Sequence, residues 1–163
     1  MTEAAGSAKQ RLDEIVQEFS DLEPRERLEL LLDFAENLPS LPPEYQAQRD
    51  AGLNRVHECQ TPVFLWVTLE QDKLKLYGDV APEAPTVKGF VGILVEAFSG
   101  ASPQDVLATD LNLIQRIGLA QTLGMVRMRG LSAILHRIRE EVRKVAKNIQ
   151  VADAGSRSGV PPL

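Results

Sequence analysis

Pro62-Val-Phe-Leu-Trp-Val-Thr-Leu69, the turn Glu70-Gln-Asp72 and then Lys73-Leu-Lys-Leu-Tyr77 decide the fold class of this chain. The first segment is rich in β-branched and aromatic residues and predicts a strand. The last alternates polar and apolar side chains, the period of a half-buried antiparallel partner. Arg55 to Glu58 is expected to add a further strand ahead of them. Trp66 and Phe64 alternate with Val63 and Leu65 and are expected to be mostly core.

On both sides of this block the pattern is helical. Ser7-Ala-Lys-Gln10 has the form of a capping box, followed by Leu12, Ile15, Val16 and Phe19 at helical spacing. A second helix starts near Pro24, buries Leu28, Leu31, Leu32 and Ala35, and ends before Pro39. Leu38 to Pro43 is a rigid connector leading into a short helical turn at Glu44 to Gln48. After the strands, Pro85 to Phe98 is apolar on most sides and is expected to be a central helix. Ser102-Pro-Gln-Asp105 supplies a cap, a first-turn proline and an acid. Asp110 to Ile117 and Ala120 to Met125 read as short helices separated by glycine. Leu131, Ile134, Leu135, Ile138, Val142 and Val145 mark a long amphipathic helix. The expected architecture is a single α+β domain: helices, a three-stranded antiparallel sheet, then helices.

The totals agree with one compact unit. The chain has 163 residues, 44% of them hydrophobic and 25% charged, with a net charge of -5. One cysteine excludes an internal disulfide and a Cys-based metal cluster, and with two histidines a zinc site is not expected. The acidic balance argues against nucleic acid as a partner. The most apolar stretch, near Gly92 to Ala97, is far shorter than the ~20 residues of a spanning helix. The opening residues lack the basic and apolar regions of a signal peptide, so a soluble cytoplasmic protein is expected. Charge is uneven. Up to residue 50 there are 12 acids and 5 bases, whereas Arg127 to Lys147 holds seven bases and two acids. Solvated helix faces account for this, and a basic docking face for an acidic partner is the alternative.

Candidate chemistry centres on Cys59, in Asn54-Arg-Val-His-Glu-Cys-Gln-Thr-Pro62. Its polar neighbours and the bend at Pro62 place it at a loop or strand end. A useful thiol needs exposure and nearby positive charge. In an extended segment His57 and Arg55 fall on the same side as Cys59, while Glu58 opposes thiolate formation. His57 and Cys59 suggest a dyad, yet nothing nearby would orient the imidazole. The glycines of Lys88-Gly-Phe-Val-Gly92 lack phosphate-loop spacing and fit helix packing better. Asp79, Asp105 and Asp110 read as turn or cap residues. Arg127 and Arg129 bracket Met128 before the last helix, where a guanidinium folded back could stabilise an anionic sulfur.

The order of elements and the words around Cys59 resemble the SufE/CsdE family of sulfur acceptors for cysteine desulfurases. The family motif, roughly Gly-Cys-Gln-Ser before a strand containing Trp, stands here as Glu58-Cys59-Gln60-Thr61 and Val63-Phe-Leu-Trp66. Leu38-Pro39, Gly78-Asp79, Val87-Lys88-Gly89, Gly100, Ser102-Pro-Gln-Asp105 and Arg127 followed by Gly130-Leu131 also match, over about residues 10 to 147. Two departures stand out. Glu58 replaces the family glycine and removes its access to positive φ; Pro62 removes a backbone donor at the strand start.

The tail at 151–163, with Gly155, Ser156, Ser158, Gly159 and two prolines, is expected to be disordered, and 1–9 a flexible N-terminus. The resemblance implies a SufE-like domain at 10–150. It also implies a carrier rather than a self-sufficient enzyme, with no metal and no cofactor of its own. Cys59 would take sulfur from the persulfide of a pyridoxal-phosphate cysteine desulfurase (SufS/CsdA-like) and pass it to an iron–sulfur scaffold. Supporting roles would fall to His57, Gln60 and Arg127, with Asp79 and Lys88 carrying lower weight. Two other readings stay open: an adaptor in which Cys59 is only structural, and a Cys-dependent hydrolase.

Overall fold

The computed structural model describes residues 7–110 and 112–158. Helices α1 (Ala8–Ser20), α2 (Pro24–Glu36) and α3 (Pro43–Asp50) precede strands β1 (Val63–Glu70) and β2 (Lys73–Val80). Helices α4 (Pro85–Phe98), α5 (Pro103–Leu107), α6 (Leu113–Ile117) and α7 (Ala120–Ser158) follow. The α+β class and the order of elements are as expected.

The sheet differs. It has two strands, β1 and β2, antiparallel from Val63 opposite Val80 to Glu70 opposite Lys73. The expected third strand is reduced to one bridge, Arg55 opposite Phe64. Two local features confine it. Asn54 sits at φ 64 on one side. On the other, Cys59 N donates to Val56 O at 3.2 Å and turns the chain away. Between β1 and β2, Gln71 and Asp72 both have positive φ, the backbone of a tight hairpin turn that twists with its strands.

Both faces of β1 are covered, which explains its nearly unbroken apolar run. Val63 and Leu65 enter the main core. Phe64 and Trp66 instead form a second cluster with Leu41, flanked by Tyr45 and Tyr77. There Trp66 Nε1 donates to Gln48 Oε1 at 2.9 Å, so α3 covers the outer face of the hairpin. On the inner face lies α4, buried along almost its whole length. Gly89 and Gly92 let it sit directly on α2: a Cβ at either would collide with the carbonyl oxygen of Leu31 or Phe34.

Caps hold the helix ends. Ser7 Oγ accepts from Gln10 N at 3.1 Å. Ala8 N donates to Asp105 Oδ2 at 2.8 Å, so the acid of the α5 first turn also closes the start of α1. The predicted stripe of α7 is buried at Leu131, Ile134, Leu135, Ile138 and Val142. Near its start α7 breaks at Gly124 (φ 79, ψ 167), a conformation open essentially to glycine alone. At its other end α7 runs on to Ser158, past residue 150 where the domain was expected to stop. Ala152 and Ala154 are strong helix formers, and extending a helix costs far less than nucleating one. Residues 159–163 and 1–6 lie outside the described residues. At the N-terminus, Ala8 and Lys9 already belong to α1. Among the described residues no helix is long and apolar enough to cross a membrane.

Candidate functional site

Residues 57–61 form a loop between the Arg55 bridge and β1, and Cys59 is the one member of it that turns inward. His57, Glu58 and Gln60 are exposed, whereas Cys59 is only 6% exposed and joins the main core. Its Sγ donates to Gly130 O on α7 at 3.4 Å. Gly130 puts no side chain between the sulfur and that carbonyl. Burial pushes the thiol up to about 11, the Glu58 carboxylate pushes the same way, and Arg55 pulls back. At neutral pH the resting side chain is therefore a thiol.

The sulfur borders a cavity of about 650 Å³. Its near wall is Glu58, Cys59, Gln60 and Thr61. A second wall comes from Glu83, Ala84 and Val87, where β2 turns into α4. The third is the start of α7, from Leu123 through Arg127 to Arg129 and Gly130. Arg127 Nη1 donates to Thr86 Oγ1 at 3.2 Å, which ties this part of α7 to the head of α4. Because Gly124 breaks the helix here, Met125 and Val126 project at the cavity rim, 75% and 61% exposed. The mouth thus carries two acids, two arginines and an exposed apolar pair.

Of the residues expected to act together, the fold brings Cys59, Gln60 and Arg127 to this one cavity. His57 is exposed and outside the lining, and no histidine lines the cavity among the described residues. A Cys/His dyad therefore has no geometric support. Asp79 lies on β2 and pairs with Arg49 of α3 at 3.3 Å. Lys88 lies one residue beyond the lining residue Val87. Sequence reasoning did not single out Glu83, Met125 or Val126 for the site. Their one signal was the apolar pair directly after Gly124, and nothing in the sequence linked it to Cys59.

Known proteins resemble this chain over most of its length. Residues 13–142 match the family described as SufE: Fe-S metabolism associated domain. An uncharacterised SufE-like protein of Mycobacterium tuberculosis is 34% identical over 142 residues, covering 86% of this chain and 97% of its own. The cysteine desulfuration protein SufE of Plasmodium falciparum is 28% identical over 115 residues, 69% of this chain and 45% of its own. A hypothetical protein from Thermus thermophilus, whose structure was determined in solution, superposes with a TM-score of 0.72 at 38% identity. That match covers 84% of this chain and 96% of the other. With the family match spanning most of its length, this chain belongs to the SufE family of domains associated with Fe–S metabolism.

Proposed function

We propose that this protein accepts sulfur on Cys59 from a pyridoxal-phosphate cysteine desulfurase and passes it on for iron–sulfur cluster assembly. The observation that carries the reading is the chain's only cysteine, latched at the edge of a cavity by a loop whose other members are more exposed. Family membership and the name of the Plasmodium falciparum relative support it. In the transfer step Cys59 thiolate attacks the outer sulfur of the partner's Cys–S–SH. A new S–S bond forms on Cys59, the partner's S–S bond breaks, and the electron pair leaves on the partner's thiolate. The Cys59 proton goes to solvent or to that departing thiolate.

A thiol at about 11 is ionised in only roughly one molecule in several thousand at pH 7.5. Release of Cys59 from its seat reverses the largest cause of this shift, the loss of hydration, so loop opening and activation are one event. Enclosure afterwards shields a persulfide from reductants. Arg127 and Gln60 are proposed to steady the loop and the sulfur charge at the cavity mouth. His57, Asp79 and Lys88 are left to contacts with the partner.

The test is intact mass spectrometry without reductant, after mixing with the desulfurase from the same source and L-cysteine. A gain of one or more sulfur atoms, lost in Cys59→Ser and reversed by dithiothreitol, is expected. No gain beside an active desulfurase would overturn the carrier reading in favour of an adaptor.

A further inference from the structure

The loop that carries Cys59 is held very unequally at its tip and at its root. At the tip, only one hydrogen bond of Cys59 leaves the loop, a thiol-to-carbonyl contact of 3.4 Å to Gly130, and such bonds are weak. Its N–H bonds within the loop, to Val56 O at 3.2 Å. The root is tied several times. Val56 is fully buried. Its N–H donates to Val63 O at 2.8 Å, and Leu65 N donates to Asn54 O at 3.1 Å. Asn54 Nδ2 adds a bond to Leu65 O at 3.0 Å.

Those two backbone bonds flank Arg55 and Phe64, which makes them a non-hydrogen-bonded antiparallel pair. The carbonyl of Arg55 consequently faces away from β1, where a further strand would have received it. Among the described residues no strand takes that place. Instead Arg137 of α7 donates from Nη1 to Arg55 O at 3.3 Å. Arg137 is itself held by Glu141, one turn on, at 3.3 Å. Gly130 and Arg137 are seven residues apart, hence on one face of α7 and roughly 10 Å apart along its axis. The Cys59 segment is laid along that face, latched at Gly130 and pinned at Arg137.

We infer that Arg137 is a positioning residue for sulfur transfer: it takes the place of a neighbouring strand at the outer edge of Arg55 and sets the pivot about which residues 57–61 swing Cys59 outward. This rests on the carrier reading for its purpose, but the pivot itself is measurable without any partner. With the pin in place, the latch can break while Asn54 to Val56 stay paired to β1. Without it, the moving segment lengthens towards Gly52, and the sulfur is presented less accurately.

The variants are Arg137→Met, which keeps an apolar stem, and Arg137→Lys, which can restore one donor. Hydrogen–deuterium exchange of the protein alone should show lost protection in peptides covering 53–57 for Arg137→Met and recovery in Arg137→Lys. That exchange should speed up about tenfold in Arg137→Met, as expected for loss of one charged hydrogen bond, while iodoacetamide labelling of Cys59, which needs only the latch to break, should change much less. In transfer assays KM for the charged desulfurase should rise more than kcat falls. Unchanged exchange at 53–57 would overturn the pivot, and so would a rise in exchange spread evenly over the whole core. Should Arg137→Met fail to fold, Glu141→Gln, which frees Arg137 from its ion pair, must show the same local loss in weaker form. Failure of sulfur loading with the pivot results intact would sink the carrier reading alone.

Discussion

On the carrier reading proposed for this chain, Cys59 serves two opposed needs: enclosed, its sulfur is protected and unreactive; released, it is a nucleophile. Burial contributes most to the raised thiol, and Glu58 adds to it from the position where the family motif carries glycine. Labelling of Cys59 by iodoacetamide should therefore climb with pH through the neutral range and level off only near 11. In Glu58→Gly the fold should persist, the midpoint should move down, and the transfer rate should change. An unmoved profile together with unchanged transfer kinetics would strip Glu58 of functional meaning. Stability has a matching sign. A thiol raised in the folded state keeps its proton while the unfolded chain loses one, so stability falls as pH rises between the unfolded value near 9 and about 11. Cys59→Ala should flatten that slope in denaturant titrations across the same window.

Among the elements, α4 carries the packing, and α7 supplies the contacts that hold the Cys59 loop. The contact of α4 with α2 depends on Gly89 and Gly92, where backbone meets backbone without a side chain between. Gly92→Ala should cost about 1–3 kcal/mol, since the Cβ would press on the main chain of Phe34 rather than on a movable side chain. Thermal melting followed by circular dichroism would measure this, and an unchanged midpoint would mean that the two helices slide apart freely. The site inherits this rigidity, because the head of α4 supplies the Val87 wall and Thr86, the partner of Arg127. The start of α7 is the opposite case. Its break at Gly124 frees Met125 and Val126 from the helix line and leaves them at the mouth of the cavity.

At the scale of the whole molecule, α7 connects everything. It latches and pins the Cys59 loop, and further along Arg139 donates to Thr109 O at 3.0 Å and to Leu107 O at 3.2 Å, closing the end of α5. Arg139→Met leaves two carbonyls without that partner and should lower the melting midpoint by about 4–10 °C. Trp66 fluorescence and far-ultraviolet circular dichroism should still report one coincident transition, because α7, β1 and α4 share a core. Separated transitions would mean that α7 unfolds on its own. The amphipathic stripes, caps and prolines, being local, determined the helices, the hairpin and the place of Cys59 in a loop. They did not determine the third strand: Arg55 to Glu58 has strand-like residues, but the positive φ of Asn54 and the turn at Cys59 leave it one bridge. Gln60 and Arg127 could be named from motif words, while their meeting with Glu83, Met125 and Val126 around one sulfur depended on where α7 crosses the sheet. The burial of Cys59, its raised thiol and its hold by Gly130 and Arg137 were decided by tertiary structure alone. Desolvation and hydrogen bonding to a distant helix arise from contacts between residues 71 and 82 positions apart, and no local pattern encodes them.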